Sequence, residues 1–540
     1  MDFVLALHSH LPWVLHHGRW PHGSDWLCEA ATDTYVPLLE ALDRLEREGT
    51  RSPVTIGVTP VLANQLAHPD FAHELAAFWA QRLEACDEAE WTLEASGETH
   101  LIPLAAFWRA RIGRLRRVLE RCDGNITATL GRHARAGRIE LISSAATHGF
   151  LPLLRRPESI RLQLTLGWRE HRRIFGLEPA GCWVPECAYR AGLEQEVRDA
   201  GFGFFFADAH MALAGRSLGL YGEHFVGGVR DAGEDGVDVA STRSPYRAYW
   251  LRPERGAPVA VFVRDPASSR RVWSRHQGYP GDAAYLEFHK IRQPGGLKLW
   301  RVTDPHIDLG DKQPYDPNVA RARAYRHAAD FAVLLRTLGR TAEPLGGDLI
   351  ATPFDTELFG HWWYEGVDFL GDLYRALERQ TAVRAVTARD HLNGGNGAGI
   401  AERQAIELAQ GSWGAHGDFS MWMNPETEWT WARLWALEDR FWNLARRERT
   451  ADGQRRAVLA QATRELLLAQ ASDWQFIIST GAATDYAEKR FRGHCDALGA
   501  LLDALERKDA EAAGRLAAEH AVADDCFPDP WPTVLDVLGG

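Results

Sequence analysis

Long apolar runs, basic clusters and paired cysteines are all missing from this chain, and each absence removes a class of protein. No stretch approaches the ~20 consecutive apolar residues of a membrane helix, so no membrane partner is expected. No run of Lys or Arg offsets a formal net charge of −12, which argues against a nucleic-acid partner and favours neutral polymers. The seven cysteines are an odd number scattered over 540 residues, and no C-x-x-C pair occurs among them. That excludes a disulfide framework or a structural zinc site and points to a reducing cytoplasm. The N-terminus, MDFVLALHSHLPW, has an apolar run without a basic segment before it or a small-residue cleavage site after it, so it reads as a first strand. Repeats are absent too. What the chain does have is length for two or three domains and 21 Trp, more than cores need and well suited to stacking against sugar rings.

The stretch Leu349 to Gly366, LIATPFDTELFGHWWYEG, organises the rest. It opens on an apolar run suited to a buried strand, and Pro353, which has no N–H to donate, is expected to end the pairing. Asp355 and Glu357 follow at once, then Gly360, His361, Trp362, Trp363, Tyr364 and Glu365. Carboxylates set beside aromatic faces suit the cleavage of a glycosidic bond; the plain alternative is that the aromatics pad the start of a helix.

Earlier in the chain the same arrangement recurs. Phe3 to Leu7 reads as a strand delivering His8 and His10 on one face, for which sugar contact, metal ligation and core burial are the readings in that order. Further strands are expected at 54–59, 138–142 (before His148), 181–186 (ending on Glu186), 202–207 (before Asp208 and His210), 259–263 (before Arg264 and Asp265), and 382–386. Helices fill the intervals, notably about 70–137, 159–175 and 318–338. Polar residues at so many strand ends, with no G-x-G-x-x-G after the first strand, favour a βα barrel over a doubly wound sheet. Tyr221, in LGLYGE, is a candidate for a mobile lid. The glycine-rich run 393–399 reads as a linker. Beyond it the chain is nearly all helical, with one helix expected to start from Asn424 as N-cap and Pro425 as first helical residue.

Two chemistries compete for these residues. In the first, Glu186 and Asp355 form a carboxylate pair, roughly 5–5.5 Å apart if configuration is retained and about 6.5–9.5 Å if it is inverted. In the second, His8, His10, His148, Asp208 and His361 form a metal-hydrolase centre. No H-E-x-x-H motif supports the second.

The segments HSHLPW, SSAATHGF, CWVPECAYR and TPFDTELFGHWWYEG, in that order and followed by SDWQF, resemble glycoside hydrolase family 57, and within it the 1,4-α-glucan branching members. The resemblance covers nearly the whole chain. It implies a (β/α)7 barrel over 1–392 with an inserted subdomain at roughly 190–235, then an all-α C-terminal domain over 400–540. It also implies Glu186 as nucleophile and Asp355 as proton donor and acceptor, with His10 and His148 around the attacked sugar. Arg264, Gly281, Trp413 and Asp473 match substrate-contacting positions. Trp273, Trp362 and Trp422 would supply aromatic walls, and Tyr221 would shield the intermediate. No metal or organic cofactor is implied, the partner would be an α-1,4-glucan, and a monomer is favoured. An α-amylase or 4-α-glucanotransferase on the same barrel, or a non-catalytic glucan-binding protein, remain as alternatives.

Overall fold

The computed structural model describes residues 1–213, 243–274, 277–293, 295–394 and 405–539. Tyr221 and residues 214–235 of the expected inserted subdomain lie outside them. Nine strands are present among the described residues: β1 (Asp2–Ser9), β2 (Thr55–Val58), β3 (Glu140–Ser144), β4 (Gly181–Trp183), β5 (Phe204–Ala207), β6 (Ala248–Leu251), β7 (Val259–Val263), β8 (Leu349–Asp355) and β9 (Arg384–Ala385). Their order is β6-β7-β5-β4-β3-β2-β1-β8, with β9 against β1. Every pairing is parallel except β6 with β7.

The seven parallel strands β1–β5, β7 and β8 form a ring. Arg264, just past β7, makes a parallel bridge to Ala351 in β8, and the Asp265 N–H donates to the Ala351 carbonyl at 2.9 Å. This is the (β/α)7 barrel. Strand β1 is buried along its whole length, as expected when both faces of a parallel sheet are covered. Strand β9 pairs with Asp2 and Phe3, while β2 pairs with β1 only from Ala6 onward.

Proline at 353 does not end β8. The register continues through Ala6↔Pro353 and Leu7↔Phe354 to His8↔Asp355. Since Ala351 faces β7 with its carbonyl, residue 353, two further on, turns its donor-less nitrogen to that same side and away from β1. The strand therefore keeps its partner and carries Asp355 to the barrel mouth.

Residues 193–207 are barrel rather than insertion, because the helix Leu193–Asp199 leads directly into β5. The additions that are seen are the helical pair Pro69–Ala95 and Ile102–Arg121, and the loop layer 277–316 between β7 and β8. The helix expected from Asn424 begins at Glu428. Asn424 instead ties down the turn before it, donating to the Ser420 carbonyl at 2.9 Å and to Ser479 Oγ at 2.8 Å. Helices Gly453–Ala469, Asp473–Thr480, Thr484–Glu506, Ala510–His520 and Trp531–Gly539 complete the C-terminal region. One apolar core runs without a break from Phe204, Phe206 and Val261 of the barrel to Trp431, Trp442, Leu466 and Leu498 of these helices. All seven cysteines are free and buried.

Candidate active site

The C-terminal ends of β1, β3, β4 and β8 converge. His8 lies level with Asp355 in the ladder; Ser144 lies level with Trp183, so the loops that carry His148 and Glu186 leave from neighbouring strands. Both of those residues adopt left-handed backbone, φ 58° at His148 and 59° at Glu186, as does Cys187 at 47°. Such conformations cost a non-glycine residue on the order of 1–3 kcal/mol and persist where the surroundings over-determine them. Here the Glu186 carbonyl accepts from the Trp413 N–H at 3.0 Å and the His148 carbonyl from the Ser472 N–H at 3.1 Å. The C-terminal region thus holds both turns.

Glu186 is gripped at each carboxylate oxygen. Trp413 Nε1 donates to Oε2 at 2.9 Å and Ser472 Oγ donates to Oε1 at 2.7 Å. Burial raises its pKa above the usual 4.5, and the two donors work against that rise. Asp355 is treated differently. Burial, then repulsion from Glu357 and Glu186, holds it well above the usual 3.8, with only Arg264 opposing. The two carboxylates therefore feel one another, yet one is stabilised by donors as an anion and the other is favoured as the acid. Such a split assigns roles in a pair.

Arg264 lies buried under this arrangement, donating to Ser269 Oγ at 2.9 Å and Asp208 at 3.3 Å, with its guanidinium 5.5 Å from the centre of the Trp413 ring. His10 meets Asp473 at 3.0 Å and Thr59 Oγ1 at 3.1 Å. Burial disfavours its imidazolium, but Asp473, Glu186 and Glu357 outweigh that and raise its pKa. The side chains of His10 and Asp473 keep 12 % exposure each, enough to touch a ligand. Glu357 accepts from the His10 N–H at 3.2 Å and from the Tyr35 hydroxyl; burial pushes it up to about 7.

Of the five residues expected to form a metal centre, His8, His10 and His148 come together, with ring centres 4.0 to 6.0 Å apart. Asp208 is taken by Arg264 and His210, and His361 lies against Phe288 near Asp33. The five-residue constellation is divided among these sites.

The expected aromatic wall also divides. Trp273 lies 6.2 Å from Trp362 and 6.5 Å from Trp413, and Trp362 is exposed at 44 %. Trp422 does not belong to that line. It is fully buried, stacked on Phe150 at 4.5 Å, and so has no face to offer a sugar. Gly281 sits on the Tyr279–Gly281 turn of the loop layer, anchored by the Tyr279 hydroxyl to Asp330 at 2.7 Å. The contrast yields a test. Trp422→Ala is expected to cost about 3–5 kcal/mol of stability through the cavity it opens, whereas Trp362→Ala should leave the melting temperature nearly unchanged and weaken binding of the sugar polymer that the resemblance implies. Thermal melts and KM values on the two variants decide it.

Residues 4–408 match the model of glycosyl hydrolase family 57, and residues 433–531 match that of the 1,4-alpha-glucan branching enzyme C-terminal region. A 1,4-alpha-glucan branching enzyme of Thermococcus kodakarensis is 37% identical over 515 residues, which is 91% of this chain and 72% of the relative. Its crystal structure superposes with a TM-score of 0.89 at 35% identity, covering 98% of this chain and 96% of that one. A branching enzyme of this type from Pyrococcus horikoshii gives a TM-score of 0.88 at 34% identity, over 99% and 96%. The alpha-amylase AmyC of Thermotoga maritima gives 0.82 at 29% identity, over 98% and 97%.

Proposed function

The chain belongs to glycosyl hydrolase family 57, and we propose that it is a 1,4-alpha-glucan branching enzyme, with Glu186 as nucleophile and Asp355 as acid and base. The observation that carries the assignment of roles is the asymmetry of the pair: Glu186 has two donors and Asp355 has repulsion. In the first step a Glu186 oxygen bonds to the anomeric carbon of an α-1,4-linked glucose. The C1–O4 bond breaks, and the departing chain takes its proton from Asp355. In the second step Asp355, now ionised, removes the proton from the 6-hydroxyl of an acceptor chain. That oxygen bonds to C1 and releases the Glu186 carboxylate, leaving an α-1,6 branch with the anomeric configuration retained.

On this reading His10 with Asp473, which keep some exposure, and the exposed face of Trp362 hold the glucose units. Transfer rather than hydrolysis requires that water be kept from the intermediate; the C-terminal region, which supplies Trp413 and Ser472, closes one side of the carboxylate against it. The match of residues 433–531 to a branching-enzyme C-terminal model supports branching over the amylase reading that the Thermotoga likeness suggests. A role in making glycogen-type α-glucan in the cytoplasm goes with this reading; no helix among the described residues is long and apolar enough to cross a membrane.

Incubation with amylose is expected to produce new α-1,6 signals in the proton spectrum and, after debranching, a set of short linear chains. Linear maltooligosaccharides alone would end the branching reading in favour of an α-amylase or 4-α-glucanotransferase on the same barrel.

A further inference from the structure

Ser472 is more than one of two donors to Glu186, because it ends a chain of hydrogen bonds whose direction is determined along its whole length. An ionised Glu186 can only accept, so the single hydroxyl proton of Ser472 is committed to Oε1 at 2.7 Å. Ser472 Oγ also lies 3.0 Å from His148 Nδ1, and with its own proton spent it must accept there, which places a proton on His148 Nδ1. A neutral imidazole carries one N–H. His148 Nε2 is therefore an acceptor, and the atom facing it at 2.9 Å, His8 Nε2, must be the donor. His8 Nδ1 is then a bare lone pair, and it is the ring nitrogen that makes no hydrogen bond among the described residues. The count closes with no donor stranded.

Packing fixes the geometry of the chain. Trp183 stacks on His8 with ring centres 4.4 Å apart and planes 5° from parallel. His148 is held by the Ser472 N–H and by the Gly149–Ala471 bridge. Burial and the neighbouring His10 charge keep both His8 and His148 neutral.

We propose that Ser472 is a positioning residue for the nucleophile, and that the one-way chain His8–His148–Ser472 makes Oε1 of Glu186 an obligate acceptor. A protonated Glu186 donating to Ser472 would reverse every member and put a proton on His8 Nδ1, a buried nitrogen with no acceptor among the described residues, so the chain accommodates the ionised carboxylate and penalises its acid. His10, Asp473, Asp355 and the neighbouring Cys187 thiol are the other titratable groups that bear on it. Trp413 supplies a donor whose direction is set by its chemistry alone; Ser472 can also accept, and only the histidines prevent it from doing so. This rests on Glu186 being the nucleophile.

Two measurements test it. Neutron diffraction from deuterium-exchanged crystals of the full chain should show deuterium on His148 Nδ1, on His8 Nε2, and on Ser472 Oγ directed at Glu186. Deuterium on His148 Nε2 with Nδ1 bare, or a doubly protonated His148, overturns the proposal whatever the variants do. In the second, Ser472→Ala should lower kcat about 10- to 100-fold with KM changed less than about threefold. It should also move the acidic limb of kcat/KM up by about one pH unit or more, since a donor to a charged group is lost. Ser472→Thr, which keeps the hydroxyl, should hold that limb in place. An unmoved limb in a folded Ser472→Ala also overturns the proposal. Should the neutron result be as stated while amylose acquires no branches, the functional reading fails and the hydrogen-bond direction stands.

Discussion

Glu186→Gln should lower turnover on amylose by on the order of 10⁴-fold or more, because it removes the only group assigned to form the covalent intermediate. The melting temperature should change little. The carboxamide oxygen can take the place of Oε2 and accept from Trp413 Nε1, with the NH2 group turned to Ser472 Oγ, and the two turns that hold His148 and Glu186 keep their backbone ties to Ser472 and Trp413. The diagnostic form of the experiment is Glu186→Gly with azide and an activated α-maltosyl donor. A small external anion entering from the vacated side should give the β-glycosyl azide, an inverted product. Wild-type enzyme run beside it should keep the α configuration throughout. Full activity in Glu186→Gln, or an azide adduct that retains α configuration, would remove Glu186 from its role. The pH profile carries the same assignment. On the proposed roles, activity requires Glu186 ionised and Asp355 protonated, and both are displaced upward from their usual 4.5 and 3.8. The acidic limb of kcat/KM, governed by Glu186, should therefore lie above the ordinary carboxylate range, and the alkaline limb, governed by Asp355, higher still.

The second large effect belongs to Asp355→Asn. With amylose the leaving oxygen needs a proton and the variant has none to give, so a loss of about 10²- to 10⁴-fold is expected. An α-maltosyl fluoride, whose leaving group needs little help, should bypass that step. The second step still lacks its base, so the maltosyl enzyme should accumulate and appear in intact-protein mass spectrometry as an adduct on the peptide containing Glu186. The alkaline limb should vanish in the same variant. Loss on fluoride as severe as on amylose, with no adduct, would mean that Asp355 serves binding instead.

Much of the barrel was legible because its strands are continuous apolar runs, each closed by a polar residue. That pattern carries Glu186, Asp355, His8 and His10 to one rim before any coordinates are known. Strand β6, AYWL, escaped because a four-residue apolar run with two aromatics beside Arg-Pro does not differ from a loop until an antiparallel neighbour accepts it. Pro353 misled for a related reason: a missing donor ends a strand only where a partner needs that donor, and the side to which each N–H points is invisible in one dimension. Tyr35 lies in a single π-helical turn, Ala31–Tyr35, that nothing in the sequence separates from the helix after it, and its bond to Glu357 spans more than 300 positions. Ser472 opens SDWQF, a segment that carries part of the resemblance, but nothing there sets the serine itself apart; only the two turns it reaches give it meaning. Tryptophan was over-read, since sequence cannot tell an indole laid against a sugar from one, like Trp422, sealed against Phe150.

The grip on Glu186 also says something about when this protein becomes an enzyme. Both acids, all three ring-site histidines and every strand among the described residues are made within the first 385 residues, while Trp413 and Ser472 are added afterwards. A chain emerging from the ribosome can close its barrel early, yet its nucleophile lacks both donors until the final helices have been synthesised and have joined the common core. Unfinished copies would then hold the right residues and do no chemistry on the polymer around them.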